Sequence, residues 1–120
     1  MLDELLALSP HVRYAAIYRN GELQSKQKAD VEQASESESD RYEELLVNPT
    51  LLHLASQRGR IDCGGLTYLL VRYGNFFQYV LPITGGHVSV CVEPSCDVLQ
   101  VVQIVNDLIE SELSDNDRGW

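Results

Sequence analysis

The chain has 120 residues, which is comfortable for one hydrophobic core and marginal for two, so it reads as a single domain. Nine Lys and Arg against eighteen Asp and Glu leave a net charge of -9, a general repulsion from phosphate backbones that excludes nucleic acid as the expected partner. Hydrophobic residues at 44% are too many for a wholly disordered chain, and the longest apolar runs are strand-sized with Arg72 or Gln78 inside them, so no membrane span is expected.

Leu2, Leu5, Leu6 and Leu8 fall on neighbouring faces of a short helix, with Asp3 and Glu4 near its positive end and Pro10 beyond it. Val12, Tyr14, Ile17 and Tyr18 predict a first strand over 11–19, and Asn20-Gly21 predicts a hairpin into a second strand over 22–28. The second strand is polar on both faces and suits a solvated edge. Residues 29–40 lack Lys, Arg and aromatics, and their acids among serines predict a mobile spacer. Ser35, Ser37 and Ser39 could accept phosphate there, although a spacer accounts for them equally well.

Helical spacing resumes at Tyr42, Leu45 and Leu46 and meets Asn48-Pro49, where a proline deletes a backbone bond. The expectation is a break or a restart: Asn48 as cap, Pro49 at the first helical position, Leu51, Leu52, Leu54 and Ala55 as the apolar face, and Gly59 as the stop. Three strands follow over 64–73, 76–83 and 87–93, joined by Gly74-Asn75 and Gly85-Gly86 into an antiparallel meander. In the first of them Leu66, Tyr68 and Leu70 share one face while Leu69, Val71 and Tyr73 share the other, so both faces need cover. Pro82 sits awkwardly for an inner strand. Val98 to Ile109 repeat at helical period behind an Asp97/Gln100 capping-box spacing, and 114–120 form a polar tail.

Chemical groups are sparse. Cys63 before Gly64-Gly65, with His53 or His87 as base, is a conceivable nucleophile, but a buried free thiol explains it more simply. Cys91, Cys96 and His87 lack the paired close spacings of a zinc site, so no metal and no cofactor are expected. The two glycine pairs lead into strands rather than helices and are turns, not phosphate loops. Glu43 with Glu44 and Glu110 with Glu112 read as solvated surface. Tyr14, Tyr18, Tyr68, Tyr73, Phe76, Phe77 and Tyr79 could line a ligand cavity, though core packing is the simpler use. The N-terminal residues lack the pattern of an export signal and the three cysteines read as reduced thiols, which together predict a cytoplasmic protein.

The run RGRIDCGGLTYLLVRYGNFFQYVLPITGGHVSVCVEP, followed by an amphipathic helix, resembles the Roadblock family of dynein light chains and bacterial GTPase regulators. Element order extends the likeness over about residues 2–113. The resemblance implies an α+β domain over 1–113, with a five-stranded antiparallel sheet in the order 2-1-5-4-3 and helices on both faces, as in Roadblock and profilin-like folds. It also implies a homodimer joined through third strands and middle helices, with Leu51, Leu52, Leu54, Ala55, Leu66, Tyr68 and Leu70 at the interface. Its members are non-catalytic platforms for small GTPases or motor subunits, and no GTPase-contact residue carries over. The acidic insert and Pro49 depart from the pattern. The expectation is therefore a non-catalytic dimeric adaptor or regulator that binds another protein, a small GTPase among the candidates. A small-molecule sensor of profilin-like or PAS-like architecture is the alternative, and its mark would be a pocket.

Overall fold

The computed structural model describes residues 1–29 and 37–113. Helix α1 (Leu2–Ala7) leads to strands β1 (Val12–Arg19) and β2 (Glu22–Gln27). Asn20 and Gly21 both take positive φ, 52° and 84°, the left-handed pair that a two-residue hairpin requires. Next come α2 (Ser37–Tyr42), a π-helical turn (Glu43–Val47) and α3 (Asn48–Asp62). Strands β3 (Leu69–Arg72), β4 (Phe77–Ile83) and β5 (Gly86–Val92) precede the closing helix α4 (Val98–Glu112). The five strands form one antiparallel sheet in the order β2-β1-β5-β4-β3, with helices on both faces, as expected.

The two faces differ in chemistry because β5 alternates strictly. Val88, Val90 and Val92 join Ala15, Tyr79, Leu81 and Ile83 against Leu5 and Leu6 of α1 and Val101, Val102, Val105 and Ile109 of α4. This is the main apolar core, and its burial supplies most of the folding drive. His87, Ser89 and Cys91 point the other way, where Tyr14 and Gln78 lie and where the π-helical turn packs. Asp97 caps α4 by accepting from the Gln100 amide at 3.4 Å.

Several expectations change. Residues 37–40, assigned to a mobile spacer, begin a helix, with Glu38 and Asp40 in its positive first turn; the rest of that insert, 30–36, and the tail at 114–120 lie outside the described residues. The helix does not break at Asn48-Pro49. The chain stays helical from Ser37 to Asp62, because Pro49 falls in the first turn of α3, directly after the π-helical turn. Asn48 makes no side-chain cap and donates instead to Glu44, 2.9 Å away. Gly59 is not the stop either: α3 continues to Asp62, and Gly64, at φ 82°, takes the left-handed position past its end.

Strand β3 is also shorter than expected, leaving Leu66 and Tyr68 outside it. Leu69 pairs with Val80 and Leu70 with Tyr79, so the same register would set Thr67 opposite Pro82, which has no N–H to donate. The ladder ends before that point, and Pro82 is tolerated in an inner strand for the same reason.

Candidate functional site

The apposition of the π-helical turn and the polar sheet face buries a carboxyl group. Glu44, read from sequence as solvated surface, is fully buried. Its neighbour Leu46 is 52% exposed, so the local helix turns a glutamate inward and a leucine outward. Glu44 Oε2 accepts from Ser89 Oγ at 2.6 Å and from Tyr14 OH at 3.0 Å, while Oε1 accepts from Asn48 Nδ2 at 2.9 Å and lies 2.8 Å from His87 Nε2. The network continues through Gln78, whose amide donates to Ser89 Oγ at 2.9 Å and whose oxygen accepts from Cys91 Sγ at 3.0 Å. Burial, with Glu44 close by, pushes the Tyr14 hydroxyl and the Cys91 thiol well above their ordinary ranges, so both remain protonated donors.

Ser, His, Cys and Glu together resemble the parts of a nucleophilic site, yet the bonding is a different one. The Ser89 hydroxyl hydrogen is committed to Glu44 and its oxygen to Gln78; His87 faces Glu44; and all four side chains are at most 1% exposed. A nucleophile needs a base aligned on its hydroxyl and a route for substrate. What this arrangement does is bind the helix to the sheet by directional bonds.

Beside it lies an open cleft of about 670 Å3 between the π-helical turn and the β3–β4 connection. Tyr14 and Gln78 line it together with Tyr42, Tyr73, Phe76 and the carboxylates of Asp40 and Glu43. Tyr73 OH donates to both Glu43 oxygens at 3.1 Å, and its ring meets Phe76 edge-on at 5.4 Å. Burial raises the Glu43 carboxyl above its ordinary value, with Glu44 and Asp40 adding to the effect and the Tyr73 bond opposing it. Asp40 is raised by burial and then by Glu44, against the pull of Arg13. A β-bulge between Val12 and Tyr14 frees Arg13 from the β5 ladder, and its guanidinium reaches Asn75 O at 3.0 Å and lies over Phe76 at 5.3 Å.

The residues expected at an interface separate into three groups, exposed, buried and partly buried. Leu54 is 60% exposed and Leu51 lies outward with it, joined by Leu45, Leu46 and Ile61, which sequence reading did not assign to a surface. Leu52 is fully buried and belongs to the interior of the fold rather than to any outward face. Ala55 and Leu66 are half-buried, and Tyr68 and Leu70 pack partly on the main core. Gly59 touches the Gly65 and Leu66 backbone, which brings the C-terminal end of α3 to the approach of β3. Among the described residues strand β3 pairs with β4 alone and forms one edge of the sheet.

Cys63 is not the buried thiol read from sequence: it is exposed and donates to Asp62 at 3.3 Å, while His87, one of the two bases weighed for it, is enclosed with Glu44. Among the described residues no group of three or more His, Cys, Asp or Glu side chains is placed to hold a metal ion, and no helix is long and apolar enough to cross a membrane. The network itself was missed from sequence, although the alternation His87-Val88-Ser89-Val90-Cys91-Val92 announces a polar face; a polar face suggests water, and here a polar helix covers it. No protein-family model matches the chain, and no curated protein matches it either.

Proposed function

We propose that the chain is a homodimeric, non-catalytic adaptor or regulator that binds another protein, a small GTPase being the class to which the Roadblock resemblance points, and that it works in the cytoplasm. One observation carries the reading: the helix from Glu43 to Asp62 turns Leu46, Leu51, Leu54 and Ile61 outward and ends where the chain enters an open strand edge. Contiguous exposed leucines and a bare edge are each a liability for a lone molecule. A second copy covers both. An edge strand that pairs antiparallel with its own twin forms a two-fold contact that closes at two subunits, and the opposite edge, β2, is polar and mostly exposed, so the sheet stops there.

Light scattering tests the dimer. The expected mass is twice 13.5 kDa, and Leu54→Glu should return it to 13.5 kDa with the fold intact. A wild-type monomer at micromolar concentration rejects the reading. Capture of a purified small GTPase in one nucleotide state and not the other would support the regulator assignment.

The cleft beside Glu43 favours a second reading, a small-molecule sensor, since its volume lies within the range of about 300–1,000 Å3 usual for ligand pockets. Native mass spectrometry separates the two. A co-purifying small molecule lost on denaturation favours the sensor, and an apo dimer favours the adaptor.

A further inference from the structure

The inward side of the long helix is built from Glu44, Asn48, Leu52, Ser56 and Gly59, with Leu52 its one large apolar side chain. Its outward side carries Leu46, Leu51, Leu54 and Ile61. That is the reverse of an ordinary surface helix, whose apolar stripe faces the core. Hydrophobic attraction has no direction of its own, so apolar packing alone would roll such a helix until its leucines met the sheet.

We infer that Glu44 is a positioning residue, whose buried hydrogen bonds with Tyr14 and Ser89 and contact with His87 fix the rotational setting of the helix and so hold the leucines outward. The geometry of the bonds and one further observation support this. Hydrogen bonds are directional, and a roll by one residue, about 100°, withdraws the carboxyl from partners on β1 and β5 at once. Moreover, Asn48 Oδ1 and Ser56 Oγ are buried with no hydrogen-bond partner among the described residues, so the inward face is not optimised for stability. Polar groups retained in such a place act as register devices, as a single buried polar residue does in a coiled coil. The consequence for association rests on the adaptor reading; the setting of the helix does not.

The test uses thiol labelling in a Cys63→Ser/Cys96→Ser background, with a reporter at inward Ser56→Cys or at exposed Gln57→Cys. With Glu44 present, the outward reporter should react far faster than the inward one. Replacing the network by apolar residues, Tyr14→Phe/Glu44→Leu/His87→Leu/Ser89→Ala, should leave the melting temperature unchanged or higher while the ratio of the two rates collapses by about tenfold or more. Should that variant fail to fold, Glu44→Met/His87→Leu carries the same test. The conservative Glu44→Gln should keep the ratio within about threefold. A folded apolar variant that preserves the labelling ratio overturns the inference. If the wild type is a monomer and the folded apolar variant loses the ratio, the dimer reading falls and the positioning role stands; if the wild type is a dimer and the apolar variant keeps both the ratio and the dimer, the reverse holds.

Discussion

The Gly65 amide donates to the Gly59 carbonyl at 3.0 Å, and a Cβ built on Gly59 would lie 3.0 Å from the Gly65 carbonyl carbon and 3.1 Å from the Leu66 nitrogen. Both neighbours are backbone and cannot swing aside. Alanine at 59 would gain about 1 kcal/mol of helix propensity but push the turn at 63–66 away from α3, an overpacking penalty of about 1–3 kcal/mol. Gly59→Ala should therefore lower stability in urea denaturation, and Gly59→Val should lower it further. An alanine variant as stable as wild type would mean that the turn yields freely.

Gly86 and Gly74 should respond in opposite ways. A Cβ on Gly86 would fall 1.7 Å from the Tyr18 carbonyl oxygen inside the β1–β5 ladder, whereas a Cβ on Gly74 meets nothing within 4 Å. Gly86→Ala should cost more than about 3 kcal/mol or abolish folding, and Gly74→Ala should be neutral or stabilising by up to about 1 kcal/mol. Thermal melts of the pair decide this, and similar midpoints would contradict it.

Removing the Glu44 side chain alone strands Tyr14, Ser89, Asn48 and His87 together. The expected loss for Glu44→Ala is about 3–5 kcal/mol, since breaking a buried paired group leaves its partners unsatisfied. Ser89→Ala removes one bond and should cost about 1–3 kcal/mol. Equal costs for the two would show that the carboxyl is not the hub of the network.

Stability should fall as pH rises through the range in which Asp40 and Glu43 lose their protons. Burial raises both, so the folded state holds these protons more tightly than the unfolded chain does. The decline begins near the unfolded value of about 4 and levels off above the raised folded values. Asp3, held down by its hydrogen bond and charge contact with Lys26, and Asp62, held down by its bond from Arg58, act with the opposite sign, but both are fully exposed and screened by solvent. Asp40→Asn/Glu43→Gln should flatten the profile above pH 4. An unaltered slope would assign it to other groups.

Asp97 accepts from the Gln100 amide at the start of α4, and Asp97→Ala should cost about 0.5–2 kcal/mol. Circular dichroism melts would register the loss; no change would mean that solvent replaces the cap fully.

The strands β1, β2, β4 and β5 and the closing helix were legible because local signals and burial agree there, whereas the strand order was implied only by the family resemblance. Asn20-Gly21 dictates its turn, and valines at 88, 90 and 92 dictate which side of β5 meets α4. Residues 43–62 were misread because their signals conflict. Leucine spacing placed Leu52 on the same side as Leu51 and Leu54, and two adjacent glutamates looked like a water-facing pair. Proline at 49 signalled a break that the π-helical turn absorbs. Gly59 looked like a stop, and its small size instead lets another stretch of backbone approach. For Glu44 the deciding contact is Ser89, 45 residues away and outside any local window; for Gly59 it is Gly65 and Leu66, near in sequence, and only the path of the intervening turn brings them back against the helix.

The π-helical turn over Glu43–Val47 is wider than an α-turn and holds an extra residue. Deleting one position between 43 and 47 would let it close to an α-turn with nearly the same total rotation, leaving Leu51, Leu54 and Ser56 close to their present bearings. Deleting a residue from the regular helix just after it, at Thr50, would instead swing all that follows by about 100° around the axis. The wide turn is therefore the place on this helix where the chain can lose one residue and keep the facing of the rest.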